Sequence, residues 1–240
     1  MIISHKHKFI FICNGKTGTT SIERGLDGYD ESEDMNNGAP GLWDGKHMPA
    51  SVAKAMLPKA VWDGYFKFLF VRNPYDWFVS AYRHNFRSRL KLLKLVRHPL
   101  LAPEMVGTFL RFKRERSKQI LDAADIDFHH GYLRKYRALS SSATLYQTNY
   151  ACDPDGNLLV DFVGRFESLQ QDVRKVQDVI GVFFDVPHLN ATTRRPYHDC
   201  LTSAAMQRIT ELWAIDFRVF GYPEESKPNA QADQNLSESR

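Results

Sequence analysis

Only three cysteines, Cys13, Cys152 and Cys200, occur in 240 residues. They are too few and too scattered for a disulfide framework, and no pair has metal-ligand spacing, so a reducing compartment is the simpler expectation. Long apolar runs are missing as well. The first begins at Phe9, covers four or five residues and is needed for a strand, so no signal peptide is read in it. No stretch reaches the roughly 18 residues of a membrane span. Together these features predict a cytoplasmic location. Nor is there a large excess of either charge: 32 Lys and Arg against 28 Asp and Glu give +4, with a pI near 8.9. That mildly basic balance suits anionic ligands without identifying them. Hydrophobic residues at 43% and charged residues at 25% are ordinary globular values and exclude general disorder. The length suits one substantial core, and no internal repeat divides it.

What is present is organised around KFIFICNGKTGTTSIERGL. Phe9 to Ile12 are apolar without alternation, the pattern of a strand covered on both faces in a parallel sheet. Asn14, Gly15 and Gly18 follow as residues that tolerate positive φ and a close ligand. Thr17, Thr19, Thr20 and Ser21 then supply hydroxyls and a helix start before Ile22 and Leu26. A strand, a glycine loop and a helix N-terminus form an anion site, because unpaired N–H groups point outward and the helix dipole adds roughly half a positive charge. Lys16 adds a full one. The nucleotide triphosphatase pattern G-x-x-x-x-G-K-[ST] is missing, since Lys16 precedes Gly18 instead of following the last glycine.

Asp27 to His47 reads as a long loop with acids at Asp30, Glu31, Glu33 and Asp34, ending in Lys46 and His47 before a short helix over Ala50 to Leu57. Tyr65 to Val71 is the second clear strand. It runs into VRNPYDWFVSAYRH, where Asn73 suits an N-cap and Pro74 the first helical position. Arg72 is thereby expected at the carboxyl end of a strand, the edge where open parallel sheets bind ligands. Ser80 returns, about two turns on, to the face of Asn73. Both residues could instead serve structure, the arginine capping a sheet edge and the serine bonding the Asp76 carbonyl.

From Arg83 to Lys118, eleven of the 32 Lys and Arg fall within 36 residues. Such a run suits a solvated helix face or the approach path of an anionic acceptor. Ile126 to Ala138 predicts a helix whose adjacent His129 and His130 cannot share a face, which argues against a metal pair. Asp153-Pro154-Asp155-Gly156-Asn157 predicts a hairpin turn between Ala143–Tyr150 and Leu158–Val163. Ser168 with Gln171 reads as a capping box opening a helix that Gly181 ends. A last helix is expected from Thr202, with Leu201 and Met206 as a staple and an aromatic stripe running to Phe220. Residues 1–222 read as one domain and 223–240 as a polar, disordered tail.

Lys16-Thr17-Gly18-Thr19-Thr20 resembles the 5′-phosphosulfate loop of the sulfotransferases, and Arg72 to Ser80 resembles their 3′-phosphate motif. Val160-Asp161-Phe162-Val163-Gly164-Arg165-Phe166-Glu167-Ser168-Leu169 resembles a segment of the carbohydrate-type branch. The stretches from His188 to Tyr197 and from Asp216 to Tyr222 are similar to that branch's ending. The resemblance covers Lys8 to Tyr222. It implies an α/β, P-loop-like three-layer fold with a central, mainly parallel sheet flanked by helices. It also implies 3′-phosphoadenosine 5′-phosphosulfate (PAPS) as co-substrate and sulfuryl transfer to a hydroxyl of a carbohydrate or glycoconjugate, with an anionic sugar preferred.

Under that reading Lys16, Thr17, Gly18, Thr19, Thr20 and Ser21 hold the 5′ end, and Arg72 and Ser80 the 3′-phosphate. Arg194 and Arg195 are further candidates, or else solvated loop residues. A sulfuryl group carries less charge than a phosphoryl group, so no metal site is demanded. The acceptor needs a base with a pKa near working pH. His47 is chosen from its position between the first helix and the second strand, where that branch places its histidine. His84 is second, and Lys46 could orient the sulfuryl oxygens. The Arg-Asn-Pro at Arg72, where many members have Arg-Asp-Pro, and the lack of an anchor and paired cysteines leave acceptor and compartment open. A P-loop small-molecule kinase and a non-catalytic binder of an acidic polymer are the alternatives; no nucleic acid partner is expected.

Overall fold

The computed structural model describes residues 1–32, 47–87, 118–139, 145–186 and 195–225. Lys46, Glu33, Asp34, Arg194, most of the basic stretch (88–117) and the tail from 226 lie outside the described residues.

The chain starts with β1 (Ile2–Ser4) and β2 (Phe9–Phe11), then α1 (Thr19–Leu26). After the long connection come α2 (Ala50–Met56), α3 (Lys59–Gly64), β3 (Phe66–Val71) and α4 (Pro74–Arg87). Next are α5 (Ala123–Leu139), α6 (Thr148–Ala151) and β4 (Phe162–Arg165). Helices α7 (Leu169–Ile180), α8 (Ser203–Leu212) and α9 (Ala214–Phe220) complete the order.

The sheet order is β1-β2-β3-β4. Strand β1 pairs antiparallel with β2, while β2 with β3 and β3 with β4 are parallel, with Phe11 opposite Phe68 and Val71 opposite Arg165. The fold is therefore α/β, with a mixed, mostly parallel sheet between helices. Successive side chains of a strand point to opposite faces, which explains the unbroken apolar runs. Ile10, Ile12, Leu69 and Val71 face a core shared with α2, α4, α5, α8 and α9. Phe9, Phe11, Phe68 and Phe70 face the other, shared with α1 and α7. Parallel β2, β3 and β4 deliver their following loops to one edge of the sheet. In β4, a Cβ on Gly164 would fall 2.4 Å from the Phe70 ring, so only glycine lets the two strands lie this close.

Three local expectations need correction. The Asp153 turn forms, with Asp153 Oδ1 accepting the Asp155 and Asn157 N–H groups and Gly156 at φ 87. The segment before it, however, is helix α6 instead of a strand, and only an isolated Cys152–Leu158 bridge remains of the hairpin. The cause is distant: the Asp216 carboxylate takes the Gln147 and Thr148 N–H groups at 2.9 Å each and caps α6. Ser168 makes no cap bond to α7; its hydroxyl donates to Asp172 Oδ2 at 2.7 Å, which also receives the Arg165 N–H. A 3-10 turn over Phe166–Ser168 leads directly into α7, with the Leu169 N–H donating to the Phe166 carbonyl. The last helix is two. It breaks at Trp213, whose buried indole N–H donates to the Leu145 carbonyl at 3.0 Å. Thr202 does cap α8 through the Ala205 N–H, and Gly181 and Gly221 end α7 and α9 in the left-handed conformation. Of the expected tail, Glu225 packs inward, accepting from Tyr197 Oη at 2.6 Å and donating its N–H to Tyr75 Oη at 3.0 Å.

Candidate functional site

The loop after β2 folds on its own threonines. The hydroxyls of Thr17, at 2.8 Å, and of Thr19 donate to the Asn14 carbonyl, and both side chains are buried. Positive φ falls at Lys16 (71°) and Gly18 (82°), not at Asn14 or Gly15, because Asn14 is held by its side chain. Asn14 Nδ2 donates to the Phe70 carbonyl at 3.0 Å and to Gln147 Oε1 at 3.3 Å. Gly18 is the N-cap residue of α1, and no side chain caps the helix. The Ser21 N–H donates to the Gly18 carbonyl at 2.9 Å, while the N–H groups of the first two helical residues lack intrahelical acceptors, so this end retains its anion-binding capacity. Thr17 and Thr19 thus shape the loop, while Thr20 is exposed and Ser21 buried beside it.

Arg72 follows β3 and is 4% exposed. Its Nε donates to Asp76 Oδ2 at 2.7 Å, its Nη2 donates to the same oxygen, and its Nη1 donates to the Lys16 carbonyl at 3.2 Å. Its guanidinium lies 4.2 Å from the centre of the Phe166 ring. Each nitrogen thus makes one described bond, and a guanidinium has five N–H groups, so two remain for a ligand among the described residues. Asn73 caps α4 through the Tyr75 N–H at 3.0 Å, while its own N–H donates to Glu167 Oε1 at 2.7 Å. Ser80 is buried one turn beyond Asp76, on the same face of α4. Trp77 Nε1 donates to the Gly15 carbonyl at 3.0 Å, a second tie between α4 and the loop.

His47 reaches the same edge at the end of β2. Its Nδ1 lies 2.9 Å from the Cys13 carbonyl, and its ring meets Tyr150 edge-on at 6.5 Å. A carbonyl only accepts, so Nδ1 carries a proton, and in the neutral ring Nε2 is then the basic nitrogen. Burial pushes the adjacent Cys13 thiol up to about 12, so it stays protonated and inert.

The strand-end turn after β4 supports both halves. Phe166 lies under Arg72 and against Gly18, where a Cβ would approach its ring to 3.3 Å. Glu167 Oε2 accepts from Tyr222 Oη at 2.9 Å, and Arg165 Nη2 donates to the Phe220 carbonyl at 2.8 Å. Burial, and then the neighbouring Glu167 carboxylate, push the Tyr222 phenol well above its ordinary pKa.

The structure therefore gathers Lys16, Thr17–Ser21, Arg72 and His47 at one sheet edge. Arg195 is exposed and donates to Gln119 Oε1 at 2.7 Å, and His84 is exposed on α4. Sequence reasoning missed Asp76, Trp77 and Gln147 as partners of this edge. Asp76 and Trp77 had a signal, lying one turn past Arg72 and Asn73, whereas nothing near Gln147 marks it.

Over residues 1–223 the chain matches the sulfotransferase family. Carbohydrate sulfotransferase 11 of Mus musculus is 28% identical over 186 residues, which cover 69% of this chain and 48% of that protein. Carbohydrate sulfotransferase 14 of Mus musculus is 26% identical over 179 residues, covering 66% and 43%. The chain spans about half the length of these curated relatives or less. No solved structure matches it significantly. With the match running through the loop at Lys16, the strand end at Arg72 and the turn at Glu167, the chain belongs to the sulfotransferase family.

Proposed function

We propose that this chain moves the sulfuryl group of PAPS to a hydroxyl of a carbohydrate or glycoconjugate. The observation that carries this reading is the bond from Arg72 Nη1 to the Lys16 carbonyl, which joins a 5′-anion loop to a 3′-phosphate arginine at one edge. A donor with phosphates on both the 3′ and 5′ positions spans that pair. ATP and AMP offer nothing to Arg72.

The 5′-phosphosulfate lies against the N-terminus of α1 and Lys16, with Thr17 to Thr20 contributing through the main chain, Thr20 also through its exposed hydroxyl, and Ser21 through its hydroxyl. Arg72 and Ser80 hold the 3′-phosphate, with Arg194 and Arg195 as further candidates for it. His47 Nε2 takes the proton of the acceptor hydroxyl. The acceptor oxygen forms a bond to sulfur as the bond from sulfur to the 5′-phosphate oxygen breaks in line, and the electron pair leaves with adenosine 3′,5′-bisphosphate. Lys16 and the helix dipole meet the charge that builds on that oxygen. No metal is assigned a step, because these groups already supply positive charge where it develops. Similarity to two carbohydrate sulfotransferases supports a glycan hydroxyl as acceptor. The three buried free thiols favour a reducing, cytoplasmic compartment. No helix among the described residues is long and apolar enough to cross a membrane.

Calorimetric titration with adenosine 3′,5′-bisphosphate, AMP and ATP tests the donor assignment. Wild type is expected to prefer the bisphosphate, and Arg72→Ala to lose that preference. Equal binding of AMP, or no binding, would leave the edge as scaffold and favour a non-catalytic binding module.

A further inference from the structure

One buried side chain touches both halves of the site. Gln147 is 1% exposed and immediately precedes α6. Its Nε2 donates to the Arg72 carbonyl at 2.7 Å, and its Oε1 accepts from the Arg72 N–H at 2.8 Å. These are the two bonds a neighbouring strand would make, supplied by a side chain one residue past the last pairing of β3 with β4. The same Oε1 accepts from Asn14 Nδ2 at 3.3 Å, and the Asn14 carbonyl anchors the hydroxyls of Thr17 and Thr19. One amide thus ties the base of the 5′ loop to the main chain of the 3′-phosphate arginine.

Gln147 is itself fixed from behind. Its N–H donates to Asp216 Oδ2 at 2.9 Å, and the Thr148 N–H and hydroxyl both donate to Asp216 Oδ1 at 2.9 Å. The carboxylate near the C-terminal end of the domain therefore reaches the donor edge through Gln147. The position needs a donor and an acceptor on one side chain of this length. Methionine has no donor and only a weak acceptor, glutamate lacks the donor, and asparagine is one methylene short.

The geometry points to Gln147 as a positioning residue for donor recognition: it sets the spacing between the 5′ loop and Arg72 and so selects ligands phosphorylated at both the 3′ and 5′ positions. This rests on the donor assignment proposed above.

The test is the ratio of affinities for adenosine 3′,5′-bisphosphate and AMP, measured by calorimetry on wild type, Gln147→Met, Gln147→Asn and Leu133→Ala. Loss of folded protein lowers both affinities alike and leaves the ratio unchanged. Leu133→Ala, a core truncation in α5, is the control for that effect. Gln147→Met is expected to lower the ratio about tenfold, as two bonds to Arg72 are lost and its main-chain groups are left unsatisfied. Gln147→Asn is expected to lower it less and serves alone if the methionine variant does not fold. Amide hydrogen exchange at Arg72, without ligand, should accelerate in both. A folded Gln147 variant that keeps the wild-type ratio within about twofold overturns the assignment, even if Arg72 exchange accelerates. A wild type that does not prefer the bisphosphate overturns the donor assignment itself, and this inference with it.

Discussion

Replacing Gly18 by alanine separates the loop's backbone geometry from its glycine content. Gly18 has φ +82°, and a Cβ there would lie 3.1 Å from Leu169 Cδ2 and 3.3 Å from Phe166 Cδ2. An L-residue in the left-handed region costs about 1–2 kcal/mol. Leu169 and Phe166 must also give by a few tenths of an ångström, so Gly18→Ala should destabilise the fold by about 1–3 kcal/mol. Gly15, three residues earlier, has neither constraint: its φ is not in that region and nothing lies within 4 Å of its Cβ position. Gly15→Ala should stay within about 0.5 kcal/mol of wild type. Denaturant unfolding of the two variants in parallel reads the difference. Phe166 also supports the Arg72 guanidinium, so Gly18→Ala should weaken adenosine 3′,5′-bisphosphate binding as well. Equal stability of the two variants would refute the assignment of strain to Gly18.

Burial lifts the Asp216 pKa to about 6, against the pull of its bonds from Thr148 and Gln147. Its folded value exceeds its unfolded one, so its stabilising contribution is full below about pH 4 and is lost as pH rises through 6. Relative to Asp216→Asn, wild type should lose about 3 kcal/mol between pH 3.5 and 7, read as the difference between two denaturation series; a pH-independent difference would contradict the burial argument. Trp77→Phe removes the indole bond to the Gly15 carbonyl and should cost about 1 kcal/mol of stability. It should also weaken bisphosphate binding, and unchanged binding would mean that α4 does not hold the loop.

Strands β2 and β3 and the anion loop are legible in sequence because their signals are local, whereas β1 (Ile2–Ser4) carries no such signal and β4 (Phe162–Arg165) lies later than the expected Leu158–Val163 arm. The apolar runs of Phe9 to Ile12 and Phe66 to Val71, the residue order of Lys16 to Ser21 and the Asn73 cap of α4 are all patterns among neighbours along the chain. What joins them is not local. Gln147 meets Arg72 across 75 residues and Asp216 across 69, and Glu167 meets Asn73 across 94. No period or spacing encodes those contacts. The same distance effect defeated the hairpin expectation, since residues before the Asp153 turn become helix only because Asp216 caps them from another part of the chain. Thr17 and Thr19 follow the reverse pattern. Their types suit ligand contact, yet their hydroxyls are taken by the Asn14 carbonyl one turn away. The tautomer of His47 needed the Cys13 carbonyl to fix it, which no motif reveals.

Sulfuryl transfer is tested most directly by incubating labelled PAPS with a panel of glycan hydroxyl acceptors and following label in product together with release of adenosine 3′,5′-bisphosphate. Wild type is expected to transfer label to at least one acceptor. His47→Ala should abolish transfer while keeping bisphosphate affinity, and Lys16→Ala should lose turnover more than affinity. Transfer by His47→Ala at the wild-type rate would remove the histidine from the reaction, and wild-type binding of the donor with no transfer to any acceptor in the panel would contradict the catalytic account.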